Sequence, residues 1–320
     1  MRIPTVGAVV AAAVALAGCS AGELADPEPL AETAPLVHAE DHRHDLDYAP
    51  DSLSQRLDLH VPQGTGPVPL VVFVHGGDWR SGDKSEVDRN GRAEFLKAGY
   101  AVATINHRPA AEARWPAAAQ DAKTAVRWLR ANARQYHLDP RRFAVLGMAS
   151  GGYLAAATAL TGGRRTVFDV PGLGHARTSA TVQAAVLWSA PTEFGALDRQ
   201  ATAAGCPTPA VPHGHARSAV SAWLGEPVGR NGPRVRQSGL LRHVTESAPP
   251  FLLLHGTGDC AVPPAQSATL HEALRRAGVE STYTQVRGLL DPERAQTRVR
   301  ATIDFLNDTL RQPADRPHTP

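Results

Sequence analysis

Three short segments hold the residues whose types and spacing bear on chemistry. The first is Val74-His75-Gly76-Gly77-Asp78-Trp79, directly after an apolar run. Paired glycines let the backbone come close to a bound carbonyl, with N–H groups aimed at the charge that develops on its oxygen. The second is Gly147-Met148-Ala149-Ser150-Gly151-Gly152. Glycines two before and two after a central residue mark a sharp strand-to-helix turn that presents a nucleophile, because such a turn crowds its neighbours. Counted from Gly147 and Gly151, that central residue is Ala149, which has no nucleophilic atom. Ser150 stands one residue late, and centring the turn on it would put Met148 where the first glycine belongs. The third segment runs from Leu254 to Asp259 as Leu-His-Gly-Thr-Gly-Asp, a strand end followed by a carboxylate.

The elements that must position these residues follow from hydrophobic periodicity. Short apolar runs predict strands at 56–61, 70–74, 101–105, 143–147, 184–188, 251–255 and 282–286. Several are continuous, as in strands covered on both faces. Between them, amphipathic stretches predict helices at 85–98, 117–136, 151–161, 265–278 and 294–310. Alternation of the two kinds implies an α/β fold, with a mostly parallel central sheet and helices on both faces. Residues 191–247 break the rhythm with many prolines and glycines, and read as a small cap insertion over the carboxyl ends of the strands, where ligands bind. In that insertion His213 and His215 are candidates for a pocket rim, or for a solvated loop.

Together the three segments resemble the α/β-hydrolase esterases, of the feruloyl-esterase and hormone-sensitive-lipase type. Asn106-His107-Arg108-Pro109, Trp115-Pro116 and Gln266-Ser267 are similar to positions of the same family, and the resemblance runs from about residue 45 to 311. It implies that Gly76, Gly77 and the Ser150 amide supply oxyanion donors beside Trp79, that Ala149 occupies the nucleophile position, and that Asp259 is the retained triad acid. It also implies a histidine after the last strand and before the last helix. That stretch contains none: it reads Leu289-Leu290-Asp291-Pro292-Glu293, and Asp291 is the closest match to the histidine position. The family chemistry needs no metal or organic cofactor, and no motif for either is present.

In serine hydrolases the serine attacks the carbonyl, the histidine takes its proton, and the acid orients the imidazole. Loss of nucleophile and base leaves three readings. The first is a pseudoenzyme that binds a small acyl, ester or glycan-ester ligand, or an envelope protein. The second is an active carboxylic-ester hydrolase with a non-standard nucleophile or base, such as Ser150, or Asp291 or Glu293 acting on water. The third is an ordinary esterase whose gene has been altered. The sequence fixes neither the ligand nor the oligomeric state.

The ends bear on location. Residues 1–18 carry Arg2 and then an apolar run too short to anchor stably, ending Leu16-Ala17-Gly18-Cys19. This resembles a bacterial lipobox, and implies a lipoprotein signal peptide with Cys19 lipidated and the chain held on the extracytoplasmic face of the cell membrane. Residues 19–50 read as a flexible tether. Its His38, His42 and His44, interleaved with acids, are taken as solvated rather than metal-binding, because nothing in the sequence fixes a coordination geometry. The domain is placed at 51–311 and a frayed tail at 312–320. Cys206 and Cys260 remain, and in an exported chain a disulfide between them is expected. A net charge of +2, with no basic run, excludes a nucleic-acid binder.

Overall fold

The computed structural model describes residues 40–64, 66–288 and 295–310. The signal peptide, Cys19, His38, Asp291, Glu293 and the 312–320 tail lie outside the described residues.

One eight-stranded sheet organises the chain, in the order β1-β2-β4-β3-β5-β6-β7-β8. The strands are β1 (Glu40–Asp47), β2 (Arg56–Pro62), β3 (Val68–Val74), β4 (Ala101–Ile105), β5 (Leu138–Met148), β6 (Ala184–Trp188), β7 (Phe251–Gly256) and β8 (Ser281–Val286). β2 runs antiparallel to β1 and β4, and all other pairs are parallel. The apolar runs form strands because both faces are covered. Leu70, Val72 and Val74 of β3 enter one core with α2 (Ala117–Ala131), α3 (Ser150–Thr161) and α7 (Ala265–Arg276). Val71 and Phe73 enter the other, with α1 (Arg92–Lys97) and α8 (Ala295–Leu310). No helix among the described residues is long and apolar enough to cross a membrane.

Two sequence expectations need correction. The tether does not extend to residue 50: Glu40–Asp47 form β1 at the sheet edge. Its Glu-Asp-His-Arg-His-Asp pattern offers no apolar alternation, and the strand is held by backbone pairing to β2 and by the Asp45 amide donating to Asp58 Oδ1 at 2.8 Å. The helix expected at 85–98 is split. A 3₁₀ turn (Lys84–Asn90) and α1 meet at Gly91, where φ is +95°. A Cβ there would lie 2.6 Å from Val299 of α8, so only glycine lets α8 pack against this kink.

The cap insertion carries α4 (Leu197–Ala203), α5 (Ala219–Leu224) and α6 (Pro233–Ser238). Ser218 caps α5 by accepting the Ser221 amide at 3.1 Å, as its position before that helix predicts. The Cys206–Cys260 disulfide joins the segment after α4 to the loop after β7, with Cα atoms 5.6 Å apart.

Where β3 and β4 end side by side, His75 stacks on His107 with ring centroids 4.7 Å apart. Burial, and then the neighbouring His75, push the His107 imidazole down to about 3 from its ordinary 6.5. The folded chain therefore resists a proton that the unfolded chain accepts. The sign is that of a depressed folded value: stability is full above pH 6.5 and declines as pH falls toward 3. The loss reaches about 2 kcal/mol by pH 5. Urea melts at pH 7.5 and pH 5 should show His107→Gln losing less stability across that interval than the parent; equal losses would assign the acid sensitivity elsewhere.

Candidate active site

The site is built at the carboxyl ends of β3, β5 and β7. After β5 the chain turns through Ala149, at φ +48° and ψ −121°, and immediately starts α3 at Ser150. This is the sharp turn expected from Gly147 and Gly151, and the positive φ falls on Ala149 rather than Ser150. The elbow is therefore in the Ala149 register. Its glycines answer to close backbone approach. A Cβ on Gly151 would lie 2.1 Å from the His75 carbonyl oxygen, and one on Gly147 would lie 2.3 Å from that of Gly151. The Ala149 amide donates to Trp188 O at 2.8 Å, which fixes the turn against β6.

The loop after β3 wraps the same turn. Gly76 packs with its Cβ position 3.5 Å from the Ala149 methyl. Gly77, at φ +111°, lets Arg80 and Ser81 donate back to its carbonyl at 2.9 and 3.0 Å. Asn106, just past β4, clamps the loop's exit: its Oδ1 accepts the Lys84 amide at 2.6 Å and its Nδ2 donates to Asp83 at 2.9 Å. Trp79, expected to touch ligand, is only 4% exposed. It stacks parallel on Trp223 of α5 at 4.1 Å and meets Phe194 edge-on at 5.5 Å. Its main contact is thus with the cap, which it joins to the oxyanion loop, while its edge lines the cavity.

That cavity, of about 310 Å³, is lined by Asp78, Trp79, Ala149, Ser150, His213 and Arg217 among others. The Ser150 hydroxyl is buried and has no hydrogen-bond partner among the described residues. As the first residue of α3, Ser150 also has an amide left without an intrahelical acceptor, in position to bind an oxyanion.

Asp259 follows β7. Its Oδ1 accepts the Ala261 and Val262 amides at 3.0 and 2.8 Å, and its Oδ2 lies 3.8 Å from His255 Nε2. His255 does not replace the missing base. It is fully buried, with one ring nitrogen 2.7 Å from Val262 O and the other 2.7 Å from the Ser267 hydroxyl. Gly258 donates to Gly288 O at 2.8 Å, so the chain leaving β8 passes beside the Asp259 loop. Asp291 itself lies outside the described residues.

The cap contributes a pair that the sequence reading missed in part. His213 lines the cavity; His215 is exposed, and its Nδ1 accepts the Arg217 amide at 3.1 Å. Asp198 of α4 holds His213 by accepting from Nδ1 at 3.0 Å and from the His213 amide at 2.9 Å; its other oxygen takes the Gly214 amide at 2.7 Å. Burial works against the ionised Asp198, but these amides and His213 outweigh it and hold the carboxyl below its ordinary value. A carboxylate-oriented imidazole thus lines the cavity from the cap. Only the histidine was legible, because Asp198 and His213 are brought together by the fold of the cap.

An oxyanion loop after β3, a nucleophile elbow after β5 and an acid after β7, on a mostly parallel sheet, define an α/β-hydrolase of the esterase type. The BD-FAE family model matches residues 57–274, and the chain belongs to that family. Esterase LipC of Mycobacterium tuberculosis is 28% identical over 288 residues, covering 85% of this chain and 66% of the relative. Esterase LipQ of the same organism is 28% identical, over 73% of this chain and 53% of its own length. The chain thus spans from about half to about two thirds of these relatives. Among solved structures, a truncated carbohydrate esterase from gut microbiota superposes with a TM-score of 0.75 at 28% identity, covering 84% of this chain and 96% of that one. Esterase 2 of Thermogutta terrifontis, at 22% identity and a TM-score of 0.65 over 84% of this chain and 92% of its own, shares the fold. By homology the chain is a carboxylesterase-like α/β-hydrolase.

Ala149 keeps a backbone conformation that alanine disfavours, by about 1–3 kcal/mol. Glycine adopts it freely, though glycine also gains freedom in the unfolded chain. Ala149→Gly is therefore expected to raise stability by about 1 kcal/mol in a urea melt. A loss of stability would show that packing of the methyl against Gly76 outweighs the strain.

Proposed function

We propose that this chain is a catalytically impaired member of its family, which binds an acyl, ester or glycan-linked ester ligand at the cell envelope without efficiently cleaving it. One observation carries the reading: the elbow, its strained backbone and the oxyanion loop are all in place around a residue with no nucleophilic atom. In serine hydrolases, loss of the nucleophile costs about a million-fold in turnover, while the oxyanion hole and binding alone keep about 10³–10⁴ over water. Such a site retains affinity for a carbonyl and its surroundings after the chemistry has gone. The cavity is at the small end of ligand pockets and suits a short acyl group, with Arg217 at its wall. The likeness to a carbohydrate esterase favours a glycan as the alcohol side of the ester. An envelope protein is the other partner this surface allows. The reading includes export, with lipid on Cys19 holding the domain at the extracytoplasmic face of the membrane.

A second reading keeps an enzyme, and rests on the His213–Asp198 pair beside the unpartnered Ser150 hydroxyl. There His213 takes a proton from a water placed beside the Ala149 methyl. The water oxygen adds to the ester carbonyl, and the imidazolium returns the proton to the departing alkoxide.

Short-chain aryl-ester hydrolysis by the chain lacking residues 1–19 separates the two. Rates at the buffer blank, for parent, Asp259→Ala and His213→Ala alike, are the expected result. Turnover abolished in His213→Ala would replace the binding reading with the second one, and turnover abolished only in Asp259→Ala would place the base near that acid. For the anchor, a radiolabelled fatty acid should be incorporated in the producing bacterium and lost in Cys19→Ala; an unlabelled parent would remove lipidation from the proposal.

A further inference from the structure

Two of the histidines that the sequence leaves in a solvated tether, His42 and His44, are held on a strand. In the β1–β2 ladder His42 lies opposite His60. Alternate positions of a strand share a face, so His42 and His44 meet Asp58 and His60 on one side of the sheet edge. The rings of His42 and His44 are 3.4 Å apart, and those of His42 and His60 are 3.7 Å apart. One ligand atom each from His42, His44 and Asp58 falls within 4.8 Å of both others.

We propose that His42, His44 and Asp58 bind a divalent transition-metal ion of the zinc class, through two imidazole nitrogens and one carboxylate oxygen, with water completing the coordination.

The donor set selects the metal. Two imidazoles favour zinc, nickel, cobalt and copper over magnesium and calcium, which prefer oxygen throughout. Donors on a tetrahedral ion at about 2.0–2.2 Å stand a little over 3 Å apart, so the three groups must draw in by about 1 Å. His44 has the room to do so, with 62% of its side chain exposed and Nδ1 already 3.6 Å from Asp58 Oδ2.

The surrounding charges permit the exchange. Asp58 is buried, which works against its ionised form, but the Lys84 ammonium and the Asp45 amide outweigh burial and keep it ionised. Lys84 Nζ lies 2.8 Å from Asp58 Oδ2 and 3.2 Å from Asp45 Oδ1. A metal ion that takes Asp58 Oδ2 therefore leaves Lys84 paired with Asp45, and no ammonium is stranded. His60 stays outside the set: its Nδ1 is 2.7 Å from the Arg92 guanidinium, which can only donate, so the ring's proton sits on Nε2 and the tilted ring lies against His42.

The ion would fasten the edge strand to its neighbour, at the point where the described domain begins. An edge strand made largely of polar residues gains from such a cross-link, because binding to the folded state alone adds stability. The site shares no residue with the cavity at Ala149.

The test uses the untagged, metal-stripped chain. Zinc titrated calorimetrically should bind one to one and raise the thermal midpoint, magnesium should do neither, and copper should show nitrogen hyperfine structure from two imidazoles in its EPR spectrum. His44→Ala, at an exposed position that tolerates truncation, should weaken binding at least about tenfold and reduce the nitrogen pattern to one. Lys84→Met should tighten binding by removing the competing ammonium, and His215→Ala should leave it unchanged. The proposal fails if zinc does not bind near one to one, if His44→Ala binds as the parent does, or if Lys84→Met weakens binding.

Discussion

The structure turns on a backbone contact in which no side chain fits. Gly151 sits so close to the carbonyl oxygens of Val74 and His75, at 2.3 and 2.1 Å from where its Cβ would be, that the start of α3 presses directly on the end of β3. Everything else at the site follows. The elbow must turn sharply to bring α3 there, which forces positive φ on Ala149. The loop after β3 must then run over the elbow, which places Gly76 and Gly77 around the position where a carbonyl oxygen would bind. Removing the nucleophile's hydroxyl leaves this contact untouched, because it is made by main chain. The shape of the site therefore does not depend on a hydroxyl at position 149.

Strain gives this persistence a physical measure. An alanine in such a backbone conformation is held there by its surroundings, since its own preference opposes it. Here the Trp188 carbonyl and the β3–α3 contact hold it, and Trp79 of the loop that wraps the turn stacks on Trp223. That stack couples the oxyanion loop to the cap, and the disulfide couples the cap to the Asp259 loop. The three loops of the site are thus linked to one another independently of the triad.

What the sequence made legible divides along physical lines. Strands buried on both faces announce themselves as apolar runs, and all seven expected strands are present. Glycines needed for close approach are equally visible, because spacing alone identifies them. β1 was not visible, since an edge strand held by backbone pairing and polar side chains carries no hydrophobic period. The break at Gly91 was hidden for another reason: its cause is Val299, two hundred residues away in sequence and in contact only after folding. Asp198 was missed in the same way. A carboxylate that orients a histidine fifteen residues later leaves no local pattern.

Two groups of histidine show how far context decides role. His75, His107 and His255 lie in the core, where hydrogen bonds or stacking fix the orientation of each ring; they hold the site's framework. His42, His44 and His213 sit where a carboxylate meets an imidazole at the border of solvent. The retained acid Asp259 belongs with neither group: its Oδ1 is already satisfied by two backbone amides, a bond pattern that secures the loop whether or not a histidine faces it. The presence of Asp259 beside Ala149 is therefore as well explained by its turn as by a catalytic part, and the acid alone is no sign of activity.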